Sequence, residues 1–108
     1  MMQTIDLQQD DLAILVAVLR ANLSSDTDVF GFGSRATGAA RPYSDVDLAL
    51  RADRPLNGET LGRLREALSA SDLRIKVDLV DLRVVDRSFQ QIIEREMVAL
   101  AVHDGNSR

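Results

Sequence analysis

The sequence predicts an α/β or α+β fold in a single domain. Apolar residues recur at helical spacing in several segments, and short strand-like segments lie between those segments. Two of the strand-like segments, residues 45–51 and 75–82, alternate polar and apolar side chains. The chain has 108 residues, of which 45% are hydrophobic, and this is enough for one compact core. We expect the order α-β-α-β-α-β-α in one domain over residues 1–108, with a core at about residues 7–102 and a frayed tail at 103–108.

The first helix is predicted from its start signal and its apolar spacing. Asp6 and Gln9 resemble a capping pair. Leu12, Leu15 and Leu19 then follow at helical spacing, so the helix should end at about Asn22.

A short buried strand at residues 29–32 should follow, ended by Gly33. A brief second helix is predicted at residues 34–36, and Gly38 and Pro42 mark the loop after it. The first alternating strand, residues 45–51, comes next.

The second half of the chain is again predicted to alternate helices and strands. An amphipathic third helix is predicted around residues 61–68, followed by the second alternating strand at residues 75–82. Asp86 or Ser88 could cap a fourth helix that continues to about Glu96. Its buried side is expected to carry Phe89, Ile92 and Ile93. Residues 97–102 could form a last short strand.

Composition excludes several classes of function. The net charge of −4 disfavours a broad nucleic-acid-binding surface. The absence of cysteine removes thiol nucleophiles and zinc–thiolate sites, and the single histidine makes a histidine-based metal site improbable. No signal peptide or membrane-spanning apolar run is present in the sequence, so we expect a cytoplasmic protein.

The parity of the two alternating strands gives the first functional signal. One face of residues 45–50 carries apolar side chains, and the other carries Asp45 and Asp47, roughly 7 Å apart along the strand. In the later strand, Asp78 lies on the face opposite to the apolar residues, whereas Asp81 points to the other side. If the two strands are neighbours, Asp45, Asp47 and Asp78 share one open face. The alternative is an exposed polar sheet face without catalytic meaning.

Three clustered carboxylates indicate a divalent-cation site. Like charges at short range repel unless cations neutralise them, and hard oxygen ligands without histidine or cysteine suit Mg²⁺. Two Mg²⁺ ions could clamp the attacking and leaving oxygens of a phosphoryl displacement, with Asp78 placed to accept the proton of the attacking hydroxyl.

The glycine-rich segment at residues 31–38 supplies a candidate phosphate site. Gly33 allows close approach of the backbone to an anion, and the Ser34 hydroxyl adds a donor. Arg35 and Arg41 could neutralise phosphate charge. The alternative is a simple turn between a strand and a helix.

Gly33-Ser34, ten further residues and then Asp45-Val46-Asp47 form a two-part signature. Together with the late strand KVDLVDL, this signature resembles the DNA polymerase β-like nucleotidyltransferase superfamily. The similarity extends over about residues 10–100, and it is greatest to the minimal nucleotidyltransferases, the MNT-type antitoxin partners of HEPN toxins.

The resemblance implies a small mixed sheet with helices mainly on one face. It places triphosphate binding at Gly33 and Ser34, and metal binding at Asp45, Asp47 and Asp78. It also implies transfer of AMP from ATP to a tyrosine of a HEPN-type ribonuclease toxin. Thr37 departs from the family pattern, since many relatives carry a second arginine there.

Two other functions remain open at this level. The chain could neutralise a toxin by binding alone, without catalysis. It could also be a nucleotidyltransferase for a small molecule, although no second domain is present in the sequence to bind such an acceptor. The complete set of three carboxylates favours catalysis on a protein partner.

Overall fold

The computed structural model describes residues 5–103, which form four helices and four strands in alternation. The elements are α1 (Gln9–Asn22), β1 (Asp28–Phe32), α2 (Ser34–Thr37), β2 (Val46–Arg51), α3 (Gly58–Ala70), β3 (Val77–Asp81), α4 (Arg87–Glu96) and β4 (Val98–Leu100). The predicted element order is confirmed, including the last short strand. Apart from residue 103, the predicted frayed tail lies outside the described residues.

The four strands form one mixed sheet in the order β3-β2-β1-β4. β1 is antiparallel to both β2 and β4, whereas β2 and β3 run parallel. The parallel pair is joined through α3, which gives the long crossover that two parallel strands require. This topology brings the two alternating strands of the sequence side by side.

One face of the sheet is covered by α1 and α3. Leucines at helical spacing in both helices are fully or almost fully buried against the apolar side of β2. The members of this cluster include Leu15, Leu19, Leu64, Leu68, Val46, Leu48 and Leu50. Burial of these side chains supplies the main hydrophobic stabilisation of the domain.

The opposite face is covered in part by α4. Ile93 of α4 is fully buried against Phe32 and Ala49 in a second, smaller cluster. By the alternation of β2, Ala49 lies on the same face as Asp45 and Asp47, but α4 covers this face of the sheet at Ala49. The uncovered part of this sheet face on β2 therefore lies at the N-terminal end of the strand, around Asp47.

The predicted buried side of α4 is partly wrong. Ile93 is buried, but Ile92 is 51% and Phe89 37% exposed. Phe89 still makes an edge-to-face contact with Phe32, with ring centroids 6.1 Å apart. A four-stranded sheet offers α4 a narrow surface, so only one line of its side chains can be buried.

The helix starts differ in how well the sequence predicts them. Asp86 caps α4 by accepting a hydrogen bond from the Phe89 N–H at 2.8 Å, so Asp86 rather than Ser88 is the cap. Asp6 does not cap α1, which begins at Gln9 without a side-chain cap. The Asp6 N–H instead donates to the Arg35 carbonyl at 2.7 Å, tying the N-terminal segment to the turn after β1.

Within residues 5–103, no helix is long and apolar enough to cross a membrane.

Candidate active site

The turn after β1 requires glycine at position 33. Gly33 has φ +76°, in the region that side chains of L-amino acids rarely adopt. A Cβ at this position would lie 2.4 Å from Oδ2 of Asp47. Absence of a side chain therefore lets the backbone of the turn lie directly against the Asp47 carboxylate.

The next residue, Ser34, has a backbone N–H and a hydroxyl that are both available to donate hydrogen bonds. The Gly33 carbonyl accepts hydrogen bonds from the N–H groups of Ala36 and Thr37, which closes the single turn of α2. Among the described residues, neither the backbone N–H nor the hydroxyl of Ser34 has a hydrogen-bond partner. Both groups can therefore donate to an anion. Because α2 has only four residues, these local donors matter more than any helix dipole.

Asp47 and Asp78 lie opposite each other in the register of β2 and β3. Partners in adjacent strands are about 5 Å apart, and their side chains point to the same face of the sheet. Asp45 precedes β2 by one residue and is exposed, whereas Asp47 and Asp78 are half-buried. The structure thus brings all three predicted carboxylates to one corner of the sheet, beside the Gly33 turn.

The surroundings of Asp47 are electrostatically unfavourable for a negative charge. Burial raises the pKa of this carboxyl above its usual range, and the carboxylates of Asp78, Asp45 and Glu96, in decreasing order of effect, raise it further. The ionised form of Asp47 is thus disfavoured unless a positive charge is supplied.

Glu96 is a site residue that the sequence analysis missed. Its Oε1 accepts a hydrogen bond from the Gly33 N–H at 2.8 Å. The bond links the end of α4 to the glycine turn and places a fourth carboxylate near Asp47. A signal was present, since Phe89, Ile93 and Glu96 recur at spacings of four and three along one face of α4.

Lys76, just before β3, and Asp81, at its end, behave as structural residues. Lys76 Nζ lies 3.6 Å from Oδ1 of Asp78, in an exposed ion pair that is expected to be weak. Asp81 is buried on the other side, as its parity predicted, and is not solvent-facing. Its two carboxylate oxygens accept hydrogen bonds from the N–H groups of Leu56 and Arg83 at 2.7 and 2.9 Å. Asp81 therefore orders the loops at that end of the sheet.

Arg35 is committed to the backbone around it. The side chain is only 7% exposed. Its guanidinium donates to four carbonyl oxygens, those of Asp6, Arg41, Pro42 and Ser44. These bonds fasten the segment that leads into Asp45. Contact of Arg35 with phosphate stays a prediction, and the observed bonds give the residue a structural role.

The donor set at this corner fits Mg²⁺ by its chemistry. Carboxylate oxygens are the ligands that Mg²⁺ prefers, and a cation would relieve the repulsion that raises the pKa of Asp47. Within residues 5–103, no three acidic or histidine side chains are already arranged to hold a metal ion. Asp45 and Asp78 are exposed or half-exposed, and rotamer changes of such side chains are fast.

Carboxylates on adjacent strands, beside a turn with free donors for an anion, are what a nucleotidyl-transfer reaction requires. We conclude that the chain is a nucleotidyltransferase. It belongs to the family described as "Polymerase beta, Nucleotidyltransferase", whose model matches residues 17–105. The chain is also 40% identical over 96 residues to a probable protein adenylyltransferase MntA from Haemophilus influenzae, covering 89% of this chain and 83% of that protein.

Solved structures agree with this assignment. A chain from a toxin–antitoxin crystal structure with AMP-PNP matches with a TM-score of 0.68 and 27% identity, over 82% of this chain and 70% of that one. A complex of a tri-AMPylated Shewanella oneidensis HEPN toxin with an MNT antitoxin matches with a TM-score of 0.63 and 26% identity, over 86% and 71%. The resemblance to minimal nucleotidyltransferases inferred from the sequence is confirmed.

Proposed function

We propose that this chain is a Mg²⁺-dependent antitoxin that transfers AMP from ATP to a tyrosine of a HEPN-type toxin. The observation that carries the proposal is the register pairing of Asp47 with Asp78, beside Asp45 and the Gly33 turn. The similarity to a protein adenylyltransferase, and to structures of HEPN toxins with MNT antitoxins, supports the same acceptor class. We further propose that the protein acts in the cytoplasm.

The reaction is a displacement at the α-phosphorus of ATP. The acceptor hydroxyl oxygen forms a bond to that phosphorus, the bond to the bridging oxygen of the β-phosphate breaks, and pyrophosphate leaves. Asp78 takes the proton of the attacking hydroxyl. The N–H and hydroxyl of Ser34 donate to the leaving phosphates, and Gly33 allows the close approach.

Asp45, Asp47 and Asp78 would hold two Mg²⁺ ions. When bound, these ions neutralise the carboxylates, orient the triphosphate and lower the pKa of the attacking hydroxyl. Asp47 is the central ligand, since it lies between the glycine turn and Asp78.

The test is the intact mass of a purified HEPN-type partner after incubation with the chain, ATP and Mg²⁺. We expect an increase of one or more AMP units with the wild-type chain. Asp47→Asn should lower the rate by about 10³-fold or more, because a principal metal ligand loses its charge. Asp53→Asn, at an exposed loop position, is the matched control and should keep the wild-type rate.

Three outcomes would overturn the proposal or part of it. Modification by Asp47→Asn at the wild-type rate would exclude the mechanism. Silencing of the toxin without a mass increase would favour the alternative of neutralisation by binding alone. Modification of a small hydroxyl compound, but of no protein, would favour a small-molecule nucleotidyltransferase.

A further inference from the structure

β3 is an edge strand with unpaired backbone groups. The Lys76 carbonyl accepts from the Val46 N–H, and the Leu82 N–H donates to the Leu50 carbonyl, both at 2.9 Å. Even-numbered residues of β3 therefore face β2, and the N–H and C=O groups of Val77 and Leu79 point outward. Among the described residues, no hydrogen bond uses these four groups. Such an edge is a template for another strand.

A groove runs along this free edge and reaches the catalytic corner. Its volume is about 750 Å³, and it lies between α3 and β3. Its lining includes Leu68 from α3 at one wall and Asp78 from β3 at the other. The Asp78 side chain projects to the sheet face opposite α3, so a segment paired with the β3 edge would present every second side chain on the face of this carboxylate, which we assign to accept the proton of the acceptor.

The charge of the groove is opposite to that of the whole chain. Arg65, Arg74 and Lys76 line it, although the net charge of the protein is −4. Lys76 pairs with Asp78, whereas Arg65 and Arg74 are exposed and make no hydrogen bond or ion pair with any residue in 5–103. Two uncommitted guanidinium groups beside an open strand edge favour an occupant with acidic side chains.

We propose that an extended, acidic segment of the protein substrate adds to the free edge of β3 as a further strand and so carries its acceptor hydroxyl to Asp78. Backbone hydrogen bonds to Val77 and Leu79 would supply affinity, and Arg65 and Arg74 would supply selectivity. The inference rests on the proposed function, because it identifies how that reaction recognises its acceptor.

The backbone part of the proposal is tested with a proline pair. Val77→Pro removes an outward N–H from β3 without removing a bond to β2, as prolines at sheet edges do. By the same alternation the Ala99 N–H points outward from β4, so Ala99→Pro makes the equivalent change at the opposite edge. Thermal unfolding of both variants checks that each is folded.

The probe is the HEPN-type protein with its acceptor tyrosine changed to phenylalanine, so that binding is measured without transfer. Val77→Pro should raise the dissociation constant about tenfold or more, and Ala99→Pro should leave it within about twofold. In hydrogen exchange of the wild-type complex, the Val77 and Leu79 amides should become protected on binding. Unprotected amides, or equal binding by the two proline variants, would overturn the proposal.

The proposed selectivity of the groove for acidic segments is tested with two arginines of α3. Arg65→Glu, in the groove, should weaken binding about tenfold, whereas Arg63→Glu, exposed on α3 but outside the groove, should have little effect. Equal effects would show that acidic selectivity does not come from this groove. If the unaltered partner is AMP-modified while these binding tests fail, only the groove proposal falls. If no AMP is transferred at all, the proposed function falls.

Discussion

Asp47 and Asp78 are direct register partners on two parallel strands, with Oδ2 of Asp47 lying against the glycine turn. Burial and the neighbouring charge of Asp78 raise the pKa of Asp47, so the ionised pair destabilises the fold unless a cation neutralises it. The paired carboxylates are therefore expected to lower the stability of the metal-free protein.

Asp47→Asn should stabilise the metal-free protein at neutral pH. The folded-state pKa of Asp47 is raised above its unfolded value of about 3.9. Stability should consequently fall as pH rises from about 4 through the folded-state pKa, and then stay lowered. Solvent screens part of the repulsion at this half-exposed side chain, so a change of about 0.5 kcal/mol, or a few degrees in Tm, is expected.

Thermal unfolding in the presence of a chelator, at pH 4 and at pH 7.5, measures this effect. The gain of Asp47→Asn over wild type should be fully developed at pH 7.5 and only about half as large at pH 4, which lies close to the unfolded-state pKa. Asp53→Asn serves as the control for loss of a surface charge. A gain that is equal at both pH values would contradict the assignment of strain to Asp47.

Gly33→Ala and Gly38→Ala form a matched pair for the turn. Both glycines have positive φ. Gly38 lies in the left-handed region, where alanine should cost about 1–2 kcal/mol, whereas Gly33, with ψ −157°, lies in a region almost restricted to glycine, where alanine should cost up to about 3 kcal/mol. Only at Gly33 would the new Cβ also displace the Asp47 carboxylate, since nothing lies within 4 Å at Gly38. Transfer should therefore be lost in Gly33→Ala and largely kept in Gly38→Ala. Equal transfer rates for the two variants would show that the Gly33 turn is not part of the active site.

Arg35→Lys distinguishes a structural role from phosphate binding. Lysine cannot reproduce the forked contacts to four carbonyl oxygens, so unfolding should become easier by about 2–4 kcal/mol even without nucleotide. Chemical denaturation with and without ATP measures the effect. A variant with wild-type stability but weakened ATP binding would instead support the phosphate role predicted from the sequence.

Glu96→Gln isolates the charge of the residue that links α4 to the glycine turn. The amide oxygen can still accept from the Gly33 N–H, so thermal stability should change little. Removal of the negative charge should bring the pKa of Asp47 closer to its usual range. NMR titration of the side-chain carboxyl groups in the metal-free protein measures the pKa of Asp47 directly. An unchanged Asp47 pKa would show that Glu96 acts only through its hydrogen bond.

Local pattern predicted the strands and their faces well. Alternation over residues 45–51 and 75–82 fixed which side chains face the core, and it selected Asp78 over Asp81 before any pairing was known. The face to which a side chain of a strand points depends only on its position along that strand, so it can be predicted from the sequence alone. The same holds for the Gly33 turn, whose conformational demand is local.

Contacts between distant segments could not be predicted in this way. Burial of Ala49, exposure of Ile92 and the bond from Gly33 to Glu96 all depend on where α4 lies on the sheet. Arg35 was predicted to bind phosphate because it follows the predicted phosphate-binding residues Gly33 and Ser34. In the structure its guanidinium donates to carbonyl oxygens of segments on both sides, at residues 6 and 44. A single sequence gives no measure of that packing.

We propose that Asp45, Asp47 and Asp78 together bind the catalytic Mg²⁺ ions. Crystals grown with Mn²⁺ and a non-hydrolysable ATP analogue test it through anomalous scattering. We expect an anomalous peak within about 2.5 Å of oxygens from all three carboxylates. A peak bound elsewhere, or no peak while the analogue is clearly held by the turn, would contradict it.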